Sequence, residues 1–302
     1  MADSEPQILL TNDDGIDAPG IASLREELTA VGEVTVVAPA DNQSGVGRTR
    51  TNAVTREEHP WGYALAGTPA DCVAYGLRGL DTEFDLVVSG VNSGPNAGNY
   101  VVGRSGTVGA GVEAAFLDTD AVAISAYHAE DFFPFPPDEY DFSRPARVGA
   151  AVVERAVDDE LFETVDLLNV NAPLDVADPH IRVTDPHHDY DLTVEHEVTD
   201  PEAAPEEVPD GVDPGEEVVR LQDTVWPGIV GWENPFPATE EYRDRYPVGT
   251  DRRAMIDGEV SVSPLSISRT AGREATERLV ADLNVTAETE AGERPRGAGG
   301  EE

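Results

Sequence analysis

Two acids stand side by side at Asp13 and Asp14, directly after the apolar run Ile8–Thr11. A turn needs one Asp or Asn at most, so the second carboxylate adds repulsion without serving the backbone. A divalent cation between the two would cancel that repulsion. Two later loops hold neutral oxygens suited to complete its shell: Ser44 in "ADNQSGVG", 40–47, and Asn92 in "SGVNSGPNAG", 89–98. An all-oxygen set with two carboxylates suits Mg²⁺, Mn²⁺ or Ca²⁺ rather than zinc. The same doublet also fits a turn at Asp14–Gly15 with Asp13 capping the next helix.

A second chemistry-bearing stretch is Arg104-Ser105-Gly106-Thr107, at the start of a helical pattern. Unpaired N–H groups and the helix dipole attract phosphate there, with the Ser105 and Thr107 hydroxyls to help. A plain Ser or Thr helix cap explains the same residues. "GTVGAG", 106–111, lies inside the helix and lacks dinucleotide-binding glycine spacing, and no lysine is present to build a Walker A loop. A cation beside a phosphate pocket points to hydrolysis at phosphorus, through an activated water or direct attack by an aspartate. His187, His188, Asp189 and Asp191 are metal-compatible in type, but their polar loop reads as solvated. Cys72, with Val73 and Leu77 nearby, reads as a buried small hydrophobe.

Elements that would position these residues alternate through the first 170 positions. Strands are expected at 8–11, 34–38, 84–89, 121–125 and 165–170. Helices are expected at 19–31, 69–80, 106–117 and 144–157. Continuous apolar strands between helices indicate a buried parallel sheet covered on both faces. In such sheets ligands bind beyond the carboxyl ends of the strands, where the strand order reverses. The three polar loops all fall at such ends. From about 180 the pattern weakens: 180–198 alternates as a hairpin does, 195–218 reads as a mobile acidic loop, 255–268 as a strand and 270–283 as a last helix. The stretch 284–302 reads as a disordered acidic tail. One domain over 1–283 is expected, with a core at about 6–180 and an extension at about 181–283.

The chain of 302 residues carries 60 acids against 20 bases, a net charge of −40, and all the bases are arginine. That balance fits a protein adapted to molar salt, where the Debye length falls to about 3 Å and self-repulsion is screened. It argues against nucleic acid or an anionic membrane as partner, since both want a basic stripe. No apolar run approaches the roughly 20 residues of a membrane span. "MADSEPQILL" lacks the pattern of a signal peptide, so a cytoplasmic location is expected. One cysteine excludes an internal disulfide.

The stretches "ILLTNDDGIDAPGI", "VVAPADNQSG", "GTPADCV", "VVSGVNSGPNAG" and "SGTVGAGVEA" follow one another in this order. With them the chain resembles the SurE family of metal-dependent 5'/3'-nucleotidases. Weaker matches follow at "LLNVNAP" and "GTDRRAMIDGEVSVSPL". The resemblance implies a three-layer αβα Rossmann-like, mostly parallel sheet. It also implies a C-terminal β-hairpin and helix extension that exchanges between subunits of a homodimer or homotetramer, with 220–265 as the candidate segment. It implies hydrolysis of nucleoside monophosphates, with 3'-monophosphates and polyphosphate within the family's range, and one Mg²⁺ or Mn²⁺ per subunit. Ligand positions fall on Asp13, Asp14, Ser44 and Asn92, phosphate contacts on Asn96, Ser105, Gly106 and Thr107, with Asn12 beside the metal. Arg104 stands where the family usually has Tyr; facing the site it would hold a phosphate bidentately, and otherwise it is a surface charge. The acidic insertion matches no family motif. Other readings of the same residues are a nucleotide-binding sensor without turnover and a general acid phosphatase without nucleoside recognition.

Overall fold

A computed structural model describes residues 5–129, 134–158, 161–188, 192–201, 212–223, 243–268 and 277. The expected last helix, apart from Glu277, and the tail at 284–302 lie outside the described residues, as do Asp189 and Asp191. By its internal contacts the chain divides into Met1–Ile267, which carries every element below, and Ser268–Glu302.

In chain order the elements are β1 (Gln7–Thr11), α1 (Pro19–Leu28), β2 (Glu33–Pro39), β3 (Arg56–His59), β4 (Gly62–Leu65), α2 (Pro69–Gly79) and β5 (Leu86–Ser93). Next come α3 (Asn99–Val102), α4 (Gly106–Phe116), β6 (Asp120–Tyr127), α5 (Ser143–Asp158), β7 (Leu167–Pro173) and β8 (Ile181–Val183). The last are β9 (Leu192–Val198), β10 (Glu217–Asp223), α6 (Asp251–Ile256) and β11 (Val260–Leu265). Nine strands form one sheet in the order β3-β4-β2-β1-β5-β6-β7-β11-β8. The run from β4 to β7 is parallel; β3 and β11 join it antiparallel, and β8 runs parallel to β11.

The strand residues explain the three layers. In β1, Ile8 and Leu10 face one side and Leu9 the other, all fully buried. Ile8 and Leu10 pack with Ile21, Leu24 and Leu28 of α1 and with Ala146, Ala150 and Val153 of α5. Leu9 packs with Cys72 and Val73 of α2 and with Val108, Ala110 and Ala114 of α4. Two apolar faces per strand require two covering layers, and the helical spacing of the α1 and α5 residues supplies one of them. Cys72 is buried in the other, and burial pushes its thiol well above the ordinary range, as expected of an inert core residue.

Three stretches depart from the expected pattern. Residues 56–65 form the β3–β4 hairpin at the sheet's edge; its charged "REEH" strand carries no apolar alternation to reveal it. Among the described residues no hairpin forms within 180–198. Instead β8 joins the main sheet beside β11, and β9 pairs with β10 from the far side of the acidic stretch, so both ends of 195–218 lie in strands. β5 continues past Ser89 through a register shift against β6 and ends at Ser93, which places Asn92 on the strand rather than in a loop.

Candidate metal and phosphate site

β1 leads to β2 on one side of the sheet, while β5 lies on its other side. The chain therefore reverses its winding between β1 and β5, and a crevice opens beyond their carboxyl ends. Asn12, Asp13 and Asp14 leave β1 at that point. Asn12 is fully buried; its amide nitrogen donates to the Gly15 carbonyl at 2.7 Å, and its Oδ1 has no hydrogen-bond partner. Asp13 is also buried. Its Oδ1 accepts from the Thr107 hydroxyl at 2.6 Å, and its carbonyl accepts from the Gln43 N–H at 2.6 Å. Asp14 Oδ2 accepts from the Ser93 N–H at 2.8 Å, and Oδ1 lies 3.4 Å from the Asn42 amide nitrogen.

The donors that reach the two carboxylates are thus neutral. Burial, and then the charge of Asp14, push the Asp13 carboxyl from 3.8 up to about 7 against the opposing Thr107 hydrogen bonds. Burial likewise raises Asp14. A buried acid and its half-buried, mutually repelling neighbour next to an orphaned amide oxygen form a site short of positive charge. A hard divalent cation would supply that charge and matches the oxygen donors present. Among the described residues no cluster of three or more His, Cys, Asp or Glu side chains is arranged for a metal, so neutral oxygens would have to complete the shell. His187 and His188 belong to no such cluster.

The two neutral candidates sit differently. Asn92 donates its amide nitrogen to the Gly94 carbonyl at 2.5 Å, so its amide oxygen is the atom that would ligate a cation. Ser44 is exposed; its N–H donates to Asn42 Oδ1 at 2.9 Å, so Asn42 links the Ser44 turn to Asp14. Behind this turn, Arg48 and Arg50 reach the buried Glu113 of α4 at 2.7 and 3.0 Å and fasten the loop to that helix. Asn42, Ser93 and Glu113 escaped the sequence reading. Asn42 lay within the "ADNQSG" loop, and only its neighbour Ser44 stood out.

The start of α4 lies against the acid pair. Ser105 is its N-cap, with its hydroxyl accepting from the Val108 N–H at 3.0 Å. Capping and phosphate binding are compatible here, because one cap leaves other first-turn N–H groups free. A side chain at Gly106 would place its first carbon 2.7 Å from Asp13 Oδ2, so only glycine lets the helix approach the carboxylate this closely. Arg104 is exposed and donates to the Tyr100 hydroxyl at 2.7 Å.

Asn96 is held deeper than the sequence indicates. Its N–H donates to Asn171 Oδ1 at 2.7 Å and its side chain to the Ser125 hydroxyl at 2.8 Å. Its carbonyl accepts from the Asn169 and Asn171 amides. Two asparagines inside the apolar strand "LLNVNAP" were the available signal for this buried network.

Three comparisons bear on the ancestry of this site. A family model described as "Survival protein SurE" matches residues 8–191. The 5'-nucleotidase SurE of Halobacterium salinarum is 46% identical over 268 residues, covering 88% of this chain and 93% of the relative. The 5'-nucleotidase SurE of Natronomonas pharaonis is 44% identical over 269 residues, covering 86% and 92%. Among solved structures, the SurE protein of Aquifex aeolicus matches with a TM-score of 0.69 and 30% identity, over 91% of this chain and 99% of that one. With the acid doublet, the switch-point crevice and these matches together, the chain belongs to the SurE family.

Proposed function

We propose that this protein is a salt-adapted, metal-dependent phosphomonoesterase that hydrolyses nucleoside 5'-monophosphates to nucleoside and phosphate. The observation that carries the reading is the Asp13–Asp14 pair, Asp13 buried and Asp14 half-buried, short of positive charge and placed against the open start of α4. Relatives named 5'-nucleotidase, 46% and 44% identical, support the substrate class.

Asp13 and Asp14 would hold one Mg²⁺ or Mn²⁺, with Asn92 and Ser44 as neutral ligands. When bound, such an ion supplies Lewis-acid polarisation of a phosphoryl oxygen and offsets its charge. The chain's own residues do the rest. Thr107 holds Asp13 Oδ1, which fixes the carboxylate and leaves Oδ2 for the ion. Ser93 and Asn42 hold Asp14. The first turn of α4 offers N–H groups to the phosphate oxygens, and the dipole favours the dianion. Asn96 borders the phosphate from the loop after β5. Asn12 stiffens the β1 turn through Gly15 and offers its buried Oδ1 beside the metal.

A homodimer or homotetramer is proposed as the working form. In the β9–β10 ribbon, Leu192, Val194 and Val198 share a face with Val219 and Leu221, and all five are exposed. The other face carries the Arg220–Glu197 ion pair. An apolar face of this kind is stable when covered. Val194→Asp should shift the mass measured by light scattering in molar KCl towards the monomer.

The activity is tested by phosphate release from AMP, ribose 5-phosphate and p-nitrophenyl phosphate in molar KCl, with and without chelator. Chelator-sensitive release that favours AMP supports the reading. Tight AMP binding with Mn²⁺ and no release makes the protein a sensor. Equal release from all three removes nucleoside recognition.

A further inference from the structure

Past Ser93 the loop that carries Asn96 leaves the sheet. Upstream, the β5–β6 register holds Asn92 and Ser93 through Ser125 and Ala126. Downstream, Gly98 and α3 connect to the α4 start with no strand to support them. A carboxylate from the far end of the chain reaches this point. Asp251, the first residue of α6, is completely buried. Its Oδ2 accepts from the Gly98 N–H at 2.6 Å; its Oδ1 accepts from the His187 N–H at 2.9 Å and the Arg252 N–H at 2.7 Å. The His187 carbonyl in turn accepts from the Asn99 N–H at 2.9 Å, and the Asn99 side chain donates to the Pro186 carbonyl at 3.1 Å. Three separate segments, 98–99, 186–187 and 251–252, thus meet at one side chain.

The packing around Gly98 agrees with this geometry. Its φ is +87°, and a side chain there would lie 2.5 Å from Arg252 Nη2, so glycine is required on both counts. Burial raises the Asp251 carboxyl, while the Gly98, His187 and Arg252 N–H groups oppose that shift.

We propose that Asp251 is a positioning residue of the hydrolytic site: it sets the Gly98 backbone, and through it the stretch from Gly98 to Ser105 that leads into the phosphate-facing start of α4, so that the C-terminal segment governs phosphate binding. This rests on the phosphatase reading above for its effect on turnover, but not for its effect on the loop. Asp251 acts on the phosphate side alone, since the sheet register already holds Asn92, and Asp13 and Asp14 have their own donors.

The test compares the full-length protein with Asp251→Asn and Asp251→Ala in molar KCl. Asn keeps one acceptor oxygen but sets an NH₂ group against one of the three N–H donors. Amide exchange of 98–105 should speed up about tenfold or more in Asp251→Asn, with β1 and β6 unchanged. Inorganic phosphate should bind about tenfold more weakly, while Mn²⁺ affinity stays within about threefold of the parent. With AMP, KM should rise more than kcat falls. Unchanged exchange at 98–105 overturns the proposal, as does faster exchange with unchanged phosphate affinity. An equal loss of Mn²⁺ and phosphate binding, or failure of both variants to fold, makes Asp251 a merely structural residue and also overturns it. If the parent hydrolyses no nucleotide, the phosphatase reading fails, while exchange and phosphate binding still decide the role of Asp251.

Discussion

Two buried carboxylate centres in this molecule are treated in opposite ways. Asp251 receives three backbone N–H groups from three segments, and its own helix begins beneath it. Asp13 and Asp14 receive only scattered neutral donors and face each other's charge. The first centre is complete and ties parts of the chain together. The second is left incomplete, a deficit that the proposed cation would fill. A buried charge that the fold satisfies is architecture; one that the fold leaves wanting is a binding site.

The comparison breaks most directly at Asp13. Asp13→Asn should lower kcat/KM by about 10³-fold or more, since a charged ligand is lost where transition-state charge develops. The fold should survive, because the amide oxygen still accepts from Thr107. Melting should remain cooperative at or above the parent's Tm in metal-free protein. A variant with near-normal turnover at saturating Mn²⁺ would remove Asp13 from the mechanism.

Asp251→Ala should do the reverse and act on stability first. Leaving two buried N–H groups and one half-buried one without an acceptor costs about 3 kcal/mol, readable as a lower urea midpoint. An unchanged midpoint would mean that the three segments hold without their brace.

The pH dependence separates the centres next. The Asp13 carboxyl sits at about 7 in the folded chain against an ordinary 3.8. A raised carboxylate contributes stability that is fully present below the ordinary value and is lost as pH rises through about 7. Metal-free protein should therefore melt lower at pH 8 than at pH 5.5, and Mn²⁺ should restore the difference. Mn²⁺ affinity should fall by up to about tenfold per unit as pH drops below 7, because protons and metal compete for Asp13. A metal affinity flat from pH 5.5 to 8 would contradict the repulsion argued for the pair. The smallest effect is expected at Thr107→Val, where losing one hydroxyl to Asp13 should weaken Mn²⁺ binding about tenfold at most.

Much of this contrast was legible in the residues, but unequally. The acid doublet announces itself because its two members are adjacent, and the stretches holding Ser44 and Asn92 follow apolar runs that mark strands. Even so, the donor that fixes Asp13 Oδ1 is 94 positions away, at Thr107. Asp251 was silent as a site residue, because its partner Gly98 is 153 positions distant and one Asp before an Arg pair looks like any helix start. The β9–β10 pairing was hidden for a related reason. Alternation identifies a strand but names no partner, and the nearer candidate, β8, is taken up by β11. The β3 edge strand was missed because charge on an edge protects it from aggregation and erases the apolar signal together.

The central claim is that the deficit at Asp13 and Asp14 is filled by one hard dication. Titrating Mn²⁺ into chelator-stripped protein in molar KCl, followed by calorimetry, tests it most directly. The account expects one ion per chain at micromolar to low millimolar supply, and none in Asp13→Asn. No binding by the parent at millimolar Mn²⁺ or Mg²⁺, or equal binding by the variant, would contradict it.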